Sequence, residues 1–224
     1  MSLPKASGYF RTRYEDDAAL LDTRWRCGAF ACLLFAMAVF PFVASQFALD
    51  LANQIFLTAI GAVALMLLTG YAGQISLGHA GLLAAGAFTA GILYRELSAP
   101  IWITLPAAAS VGAALGFIFG LPSLRLRGLY LAVSTLALHF LVVHVGQEYE
   151  TRRGYSTGVV IDPPSVAGFT LADARAWYAV LLATCIATVL FALNLLRART
   201  GRAWRAIHGR EAVAEALGID VRWA

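Results

Sequence analysis

The sequence has 224 residues, of which 60% are hydrophobic and only 13% charged, with a mean hydropathy of +0.72. Soluble domains carry about 25% charged residues, so this composition excludes a water-soluble globule and predicts an all-α polytopic membrane helix bundle. The net charge of +4 does not point to nucleic acid, because the arginines gather just outside apolar runs, where topology explains them.

Residues 1–26 are polar, setting Lys5, Arg11, Arg13, Arg24 and Arg26 against Glu15, Asp16, Asp17 and Asp22. They are expected to form a cytoplasmic N-terminal segment. The apolar run from Cys27 to Val43 follows. A cleaved signal peptide would have a basic leader without these acids and a shorter apolar part, so a retained first span is expected. Residues 47–68 make the second span. Asp50, Asn53 and Gln54 lie at its first end, which keeps Asp50 away from mid-bilayer, where an aspartate costs about 2.5–3.5 kcal/mol.

Residues 70–81, GYAGQISLGHAG, interrupt the apolar pattern with Gly70, Gly73, Gly78 and Gly81 and with Gln74, Ser76 and His79. Irregular backbone survives at membrane depth only against protein or along a wet cavity, and transporters use such broken helices near their substrate path. The following apolar stretch, residues 80–94, would be about 22 Å long as a helix. That is too short for a core of about 30 Å, so it is expected to join the Gly-rich segment in one broken crossing.

Residues 101–120 give the next span, with Gly112, Gly116 and Gly120 on one face as a helix-packing stripe. Residues 121–128 read as a short turn built on Pro122 and Gly128. Residues 129–145 span again. His139 and His144 fall roughly 140° apart around that helix and are each expected to be hydrogen-bonded within the bundle. Residues 147–175 form the longest hydrophilic connection, and residues 177–196 the last span. The expected total is about six crossings in residues 27–197, with residues 198–224 a cytoplasmic coupling segment. With the N-terminus inside, Arg125, Arg127 and the cluster from Arg197 to Arg210 fall on the cytoplasmic side, as the positive-inside rule requires. Cys27, Cys32 and Cys185 lack metal-ligand spacing and read as small buried hydrophobes.

No phosphate-binding loop, zincin motif or nucleophile elbow occurs. Ser76 and His79 are three residues apart and could touch on a helix, but no third orienting group makes them a hydrolase. No cofactor, metal or catalytic residue is expected. Residues 202–219 read as a short cytoplasmic helical element, with Ala206, Ile207, Val213, Ala214, Leu217 and Ile219 supplying an apolar stripe. Its glutamates and the Gly218 stop favour a protein groove over a membrane surface.

Three stretches in order, GYAGQISLGHAG, LPSLRLRGLYLAVSTLA over residues 121–137 and TGRAWRAIHGREAVAEALGID over residues 200–220, resemble the branched-chain amino-acid ABC importer permeases of the LivM type. The resemblance covers the chain from about residue 47 to its end. It implies an inner-membrane permease paired with a LivH-type permease, two cytoplasmic ATPase subunits and a periplasmic solute-binding protein. Its cargo would be branched-chain or other hydrophobic amino acids, with urea or short amides as the alternative within the family.

By position, Gly70, Gly73, Gln74, Ser76, Gly78 and His79 would line or support the substrate pathway. Arg202, Arg205, Glu211, Glu215, Ala216 and Gly218 would belong to the ATPase-coupling segment. Of the family's outer-loop pattern only Thr157-Gly158 and Pro163-Pro164 are matched. Family members continue with further spans where this sequence stops at Trp223-Ala224, so a C-terminally truncated chain, or a non-transporting remnant, is a further expectation.

Overall fold

Long apolar stretches without a polar face form helices that are at home in an apolar surrounding on all sides, and this pattern sets the architecture. The computed structural model describes residues 24–123, 126, 128–155, 158–161, 163, 165–166, 169–170, 172–209, 211–216 and 218. The N-terminal segment before Arg24, together with Arg125, Arg127, Thr157, Pro164, Arg210, Leu217 and the residues after Gly218, lies outside the described residues.

Helix α1 runs Arg24–Val43 and α2 runs Gln46–Met66, capped by Ser45, whose Oγ accepts the Ala48 N–H at 3.4 Å. A π-helical turn, Leu67–Tyr71, ends α2. Helix α3 covers His79–Leu97, α4 Ile101–Ser123 and α5 Leu129–Arg153. Two-residue strands β1 (Ser165–Val166) and β2 (Phe169–Thr170) pair antiparallel. Helix α6 spans Ala174–Arg197 behind an Asp173 cap, followed by α7, Arg199–Gly209, and α8, Glu211–Ala216.

The fold is thus all-α apart from that short strand pair. Among the described residues, four helices are long and apolar enough to cross a membrane: Gln46–Tyr71, Ile101–Leu121, Leu129–Arg153 and Ala174–Arg197. The apolar part of α1, Cys27–Val43, is shorter, and α3 has 19 residues.

Helix α5 extends past the expected end at Val145, through Arg153, because Glu148 and Arg152 pair one turn apart at 2.7 Å and support another two turns. The long hydrophilic connection therefore begins at Gly154, whose φ of 75° stops the helix. Pro122 does not start the turn but sits inside the last turn of α4.

The close helix contacts fall into two groups. In the first, α2 lies along α6, with α1 joined through Tyr178. The Tyr178 hydroxyl donates to the Met37 carbonyl at 2.9 Å, and its ring stacks on Phe40 and meets the edge of Phe56. Leu49, Phe56, Ala174, Tyr178 and Leu181 form the buried cluster there. In the second group α3 packs on both α4 and α5. Gly81 lets α3 approach the α5 backbone, since a methyl on it would sit 2.6 Å from the His139 α-carbon.

Two expectations are corrected, those for the cysteines and for the histidines. Cys27 and Cys32 are exposed on α1 while only Cys185 is half-buried; a lipid-facing surface is itself apolar, so a thiol gains little from moving inward. Gly112, Gly116 and Gly120 stand where an added methyl would meet nothing within 4 Å. Their stripe lies on an open face of α4. His144 is exposed, and the buried Nδ1 of His139 has no hydrogen-bond partner; its ring instead meets Phe140 edge-on.

Candidate functional site

The Gly-rich break joins the two helix groups. After Tyr71 the chain leaves helical geometry at Gly73, with φ +72°, and residues 73–78 form a non-helical leg that returns toward Gly61 of α2. Their depth follows from one bond: the Gly61 carbonyl accepts from His79 Nε2 at 3.0 Å. A carbonyl can only accept, so Nε2 carries the proton. Gly61 precedes Tyr71 by ten residues, about 15 Å along a helix. Helix α3 therefore begins part-way along α2, and its 19 residues extend about 28 Å from there. Leg and helix together are long enough for one broken crossing of an apolar core about 30 Å thick.

The leg is fastened to α5 at Thr135. The Leu77 N–H donates to Thr135 Oγ1 at 3.0 Å, while that hydroxyl donates to the Ala132 carbonyl at 2.9 Å. Gly78 lies directly on the Thr135 carbonyl, where any Cβ would overlap it. At the other end the Gln74 N–H donates to the Leu68 carbonyl at 3.1 Å.

The six expected pathway residues are thus contiguous but have different environments. Gly70 lies in the π turn, and Gly73 and the Gln74 side chain are exposed. Ser76 is half-buried, Gly78 is a packing contact, and His79 is held by Gly61. Among the described residues no Ser76–His79 hydrogen bond forms, and His79 Nε2 is engaged by the Gly61 carbonyl. In the first turn of α3 the Gly81 and Leu82 N–H groups donate to the Gly78 carbonyl at 2.9 and 3.4 Å.

The C-terminal segment folds under α6. Gly201 is buried against the last turn of α6, where a methyl would lie 2.5 Å from the Leu195 carbonyl oxygen. Arg202 Nη1 donates to the Arg197 carbonyl at 2.6 Å, and Arg205 Nη2 to the Leu196 carbonyl at 2.9 Å. Both guanidinium groups therefore satisfy carbonyls left open at a helix C-terminus, where positive charge is also favoured. Glu211 opens α8; Glu215 and Ala216 are exposed, Ala214 is 1% exposed, and Gly218 closes the segment with φ 83°. At the far end of α7, His208 reaches the break: a methyl on Gly73 would lie 2.7 Å from its Nδ1.

A second polar cluster lies at the opposite end of the bundle. Glu96, at the end of α3, accepts from the Tyr149 hydroxyl at 2.8 Å and from the Tyr155 hydroxyl at 3.4 Å. Its other oxygen is 3.3 Å from Arg153 Nη2, and Arg95 lies over the Tyr155 ring. These groups tie the start of the long connection to α3. Sequence reading missed them, as it missed Gly61, Thr135 and His208, because each pairing is long-range and no local spacing announces it.

Comparison with known proteins adds the following. The family described as branched-chain amino acid transport system / permease component matches residues 47–224. The high-affinity branched-chain amino acid transport system permease protein LivM of Salmonella typhimurium is 30% identical over 214 residues, covering 85% of this chain and 50% of that protein. The LivM protein of Escherichia coli K12 is 30% identical over 216 residues, covering 86% and 51%. The chain thus spans about half the length of the curated relatives it matches. No solved structure matches it.

Proposed function

The chain belongs to the branched-chain amino acid transport permease family, and on that premise we propose that it is a permease subunit of an ATP-binding-cassette importer. It carries branched-chain or other hydrophobic amino acids across the bacterial inner membrane. Its partners are a LivH-type second permease, two cytoplasmic ATPase subunits and a periplasmic solute-binding protein. The N-terminus, α7 and α8 face the cytoplasm, and the Glu96 cluster faces outward.

The observation that carries this reading is the non-helical leg at residues 73–78, tied to α2 through His79 and fastened to α5. Exposed backbone at membrane depth fits a substrate path. Ile75 and Leu77, both exposed on the leg, suit an aliphatic side chain, and the start of α3 beside them carries the positive end of a helix dipole, which suits a carboxylate. The exposed Glu215 and Ala216 offer α8 to a groove on an ATPase.

Membranes from the native source supply the test. The complex is purified through this chain, its partners are identified by mass, and ATP-driven uptake of labelled leucine is measured with the binding protein. Uptake of urea in place of leucine would change the cargo. A chain that brings down no ATPase subunit would end the importer reading.

A further inference from the structure

The break and the C-terminal segment, separated by more than a hundred residues of sequence, meet at one place. Helix α7 is tied to the end of α6 by Arg202, Arg205 and the buried Gly201. At its other end the His208 ring lies against Gly73, with Nδ1, Cγ and Cε1 at 2.7, 3.1 and 3.3 Å from where a Cβ would stand. Gly73 is also the first residue after the π turn to leave helical geometry, at φ +72°. Glycine takes positive and negative φ about equally well, and π turns recur at functional points in helices. Upstream of this joint lie α2, α6 and α7; downstream, the leg is fastened to α5 and continues into α3.

We propose that His208 is a positioning residue of the transport cycle, seated on Gly73 so that displacement of α7 releases or locks the joint between the two helix groups. The proposal rests on the importer reading, in which ATPase subunits move α7 and α8. With the ring in place, the position beside the Gly73 α-carbon is occupied. When α7 tilts, the ring lifts and the α3–α4–α5 group is free to swing about the leg.

The test uses the complex purified from native membranes and reconstituted in liposomes. His208→Ala is expected to lower amino-acid uptake per ATP hydrolysed by about fivefold or more, the low end of ordinary coupling between sites. His208→Asn, which keeps a flat polar group in the seat, recovers most of it. An unchanged ratio in His208→Ala overturns the proposal. Loss of the ATPase subunits from that variant also overturns it, because His208 would then be a docking residue.

A second measurement needs no ATPase. Hydrogen exchange of the chain in nanodiscs, without nucleotide, is expected to rise at the amides of residues 73–76 in His208→Ala. Unchanged exchange there overturns the seat itself. A wild-type chain that binds no ATPase but shows the exchange effect would sink the importer reading and leave the seat standing.

Discussion

Gly78 and Thr135 touch backbone to backbone: the α-carbon of Gly78 faces the Thr135 carbonyl so closely that a side chain of any size overlaps it. The contact brings the end of the leg against α5, and the neighbouring Leu77 N–H to Thr135 Oγ1 bond holds the same place from the side. A glycine here is required by space and not by dihedral angle, since Gly78 has φ −95°.

Gly78→Ala is therefore expected to destabilise the chain by about 1–3 kcal/mol, the usual cost of forcing a methyl into a filled site. Gly116→Ala provides the contrast. Nothing lies within 4 Å of a methyl there, so that variant is expected to gain about 0.5–1 kcal/mol from helix propensity. Thermal unfolding in detergent, followed by tryptophan fluorescence, measures both. Equal midpoints for the two variants would contradict the close approach at Gly78.

Thr135 offers a cleaner probe of the hydrogen bond. Thr135→Val keeps the shape and removes the acceptor for Leu77 N–H. A loss of about 0.5–1.5 kcal/mol is expected, with Thr135→Ser close to wild type because the hydroxyl remains. Exchange of the Leu77 amide should rise in the valine variant alone. A valine variant as protected as the serine variant would remove this bond from the account.

The sequence made some of this legible. Glycines and polar residues inside an apolar run announced the break at residues 70–81, and the shortness of the apolar stretch after it led to the expectation that leg and helix share one crossing. The Arg-rich composition after Arg197 likewise marked a separate segment. What stayed hidden was pairing. Nothing local says that Thr135 receives Leu77, that Gly61 receives His79, or that Arg202 and Arg205 turn back onto α6. The glycine stripe of α4 meets the same limit: spacing identifies a face that permits close packing but not which chain supplies the partner. The cysteines misled because burial is a rule for water, and α1 carries Cys27 and Cys32 on its outer surface.

Glu96 is expected to act as a clasp more than as a source of stability. Its partners Tyr149, Tyr155 and Arg153 are all at the exposed end of the bundle, and such pairs contribute at most about 1 kcal/mol. Glu96→Ala should leave the unfolding midpoint nearly unchanged while freeing the chain after Gly154. Trypsin reads this directly, because Arg153 is itself a cleavage site. Faster cutting at Arg153 in the variant is expected; equal rates would mean that the connection is held by something else.

Arg205 and Glu215 separate the two jobs of the C-terminal segment. Arg205 donates to the Leu196 carbonyl at 2.9 Å and to the Gly201 carbonyl at 3.4 Å, so Arg205→Ala should loosen α7 from α6, at a cost of about 1 kcal/mol for an exposed charged donor. Its signature is faster amide exchange along α7. Glu215 is exposed on α8, and Glu215→Arg is expected to leave α7 exchange unchanged while weakening retention of the ATPase subunits during purification. The charge reversal acts on a partner's surface and the alanine acts within the chain, so the two effects should add in the double variant. If Glu215→Arg instead loosened α7, or Arg205→Ala alone shed the ATPases, the division between internal strut and docking face would have to be redrawn.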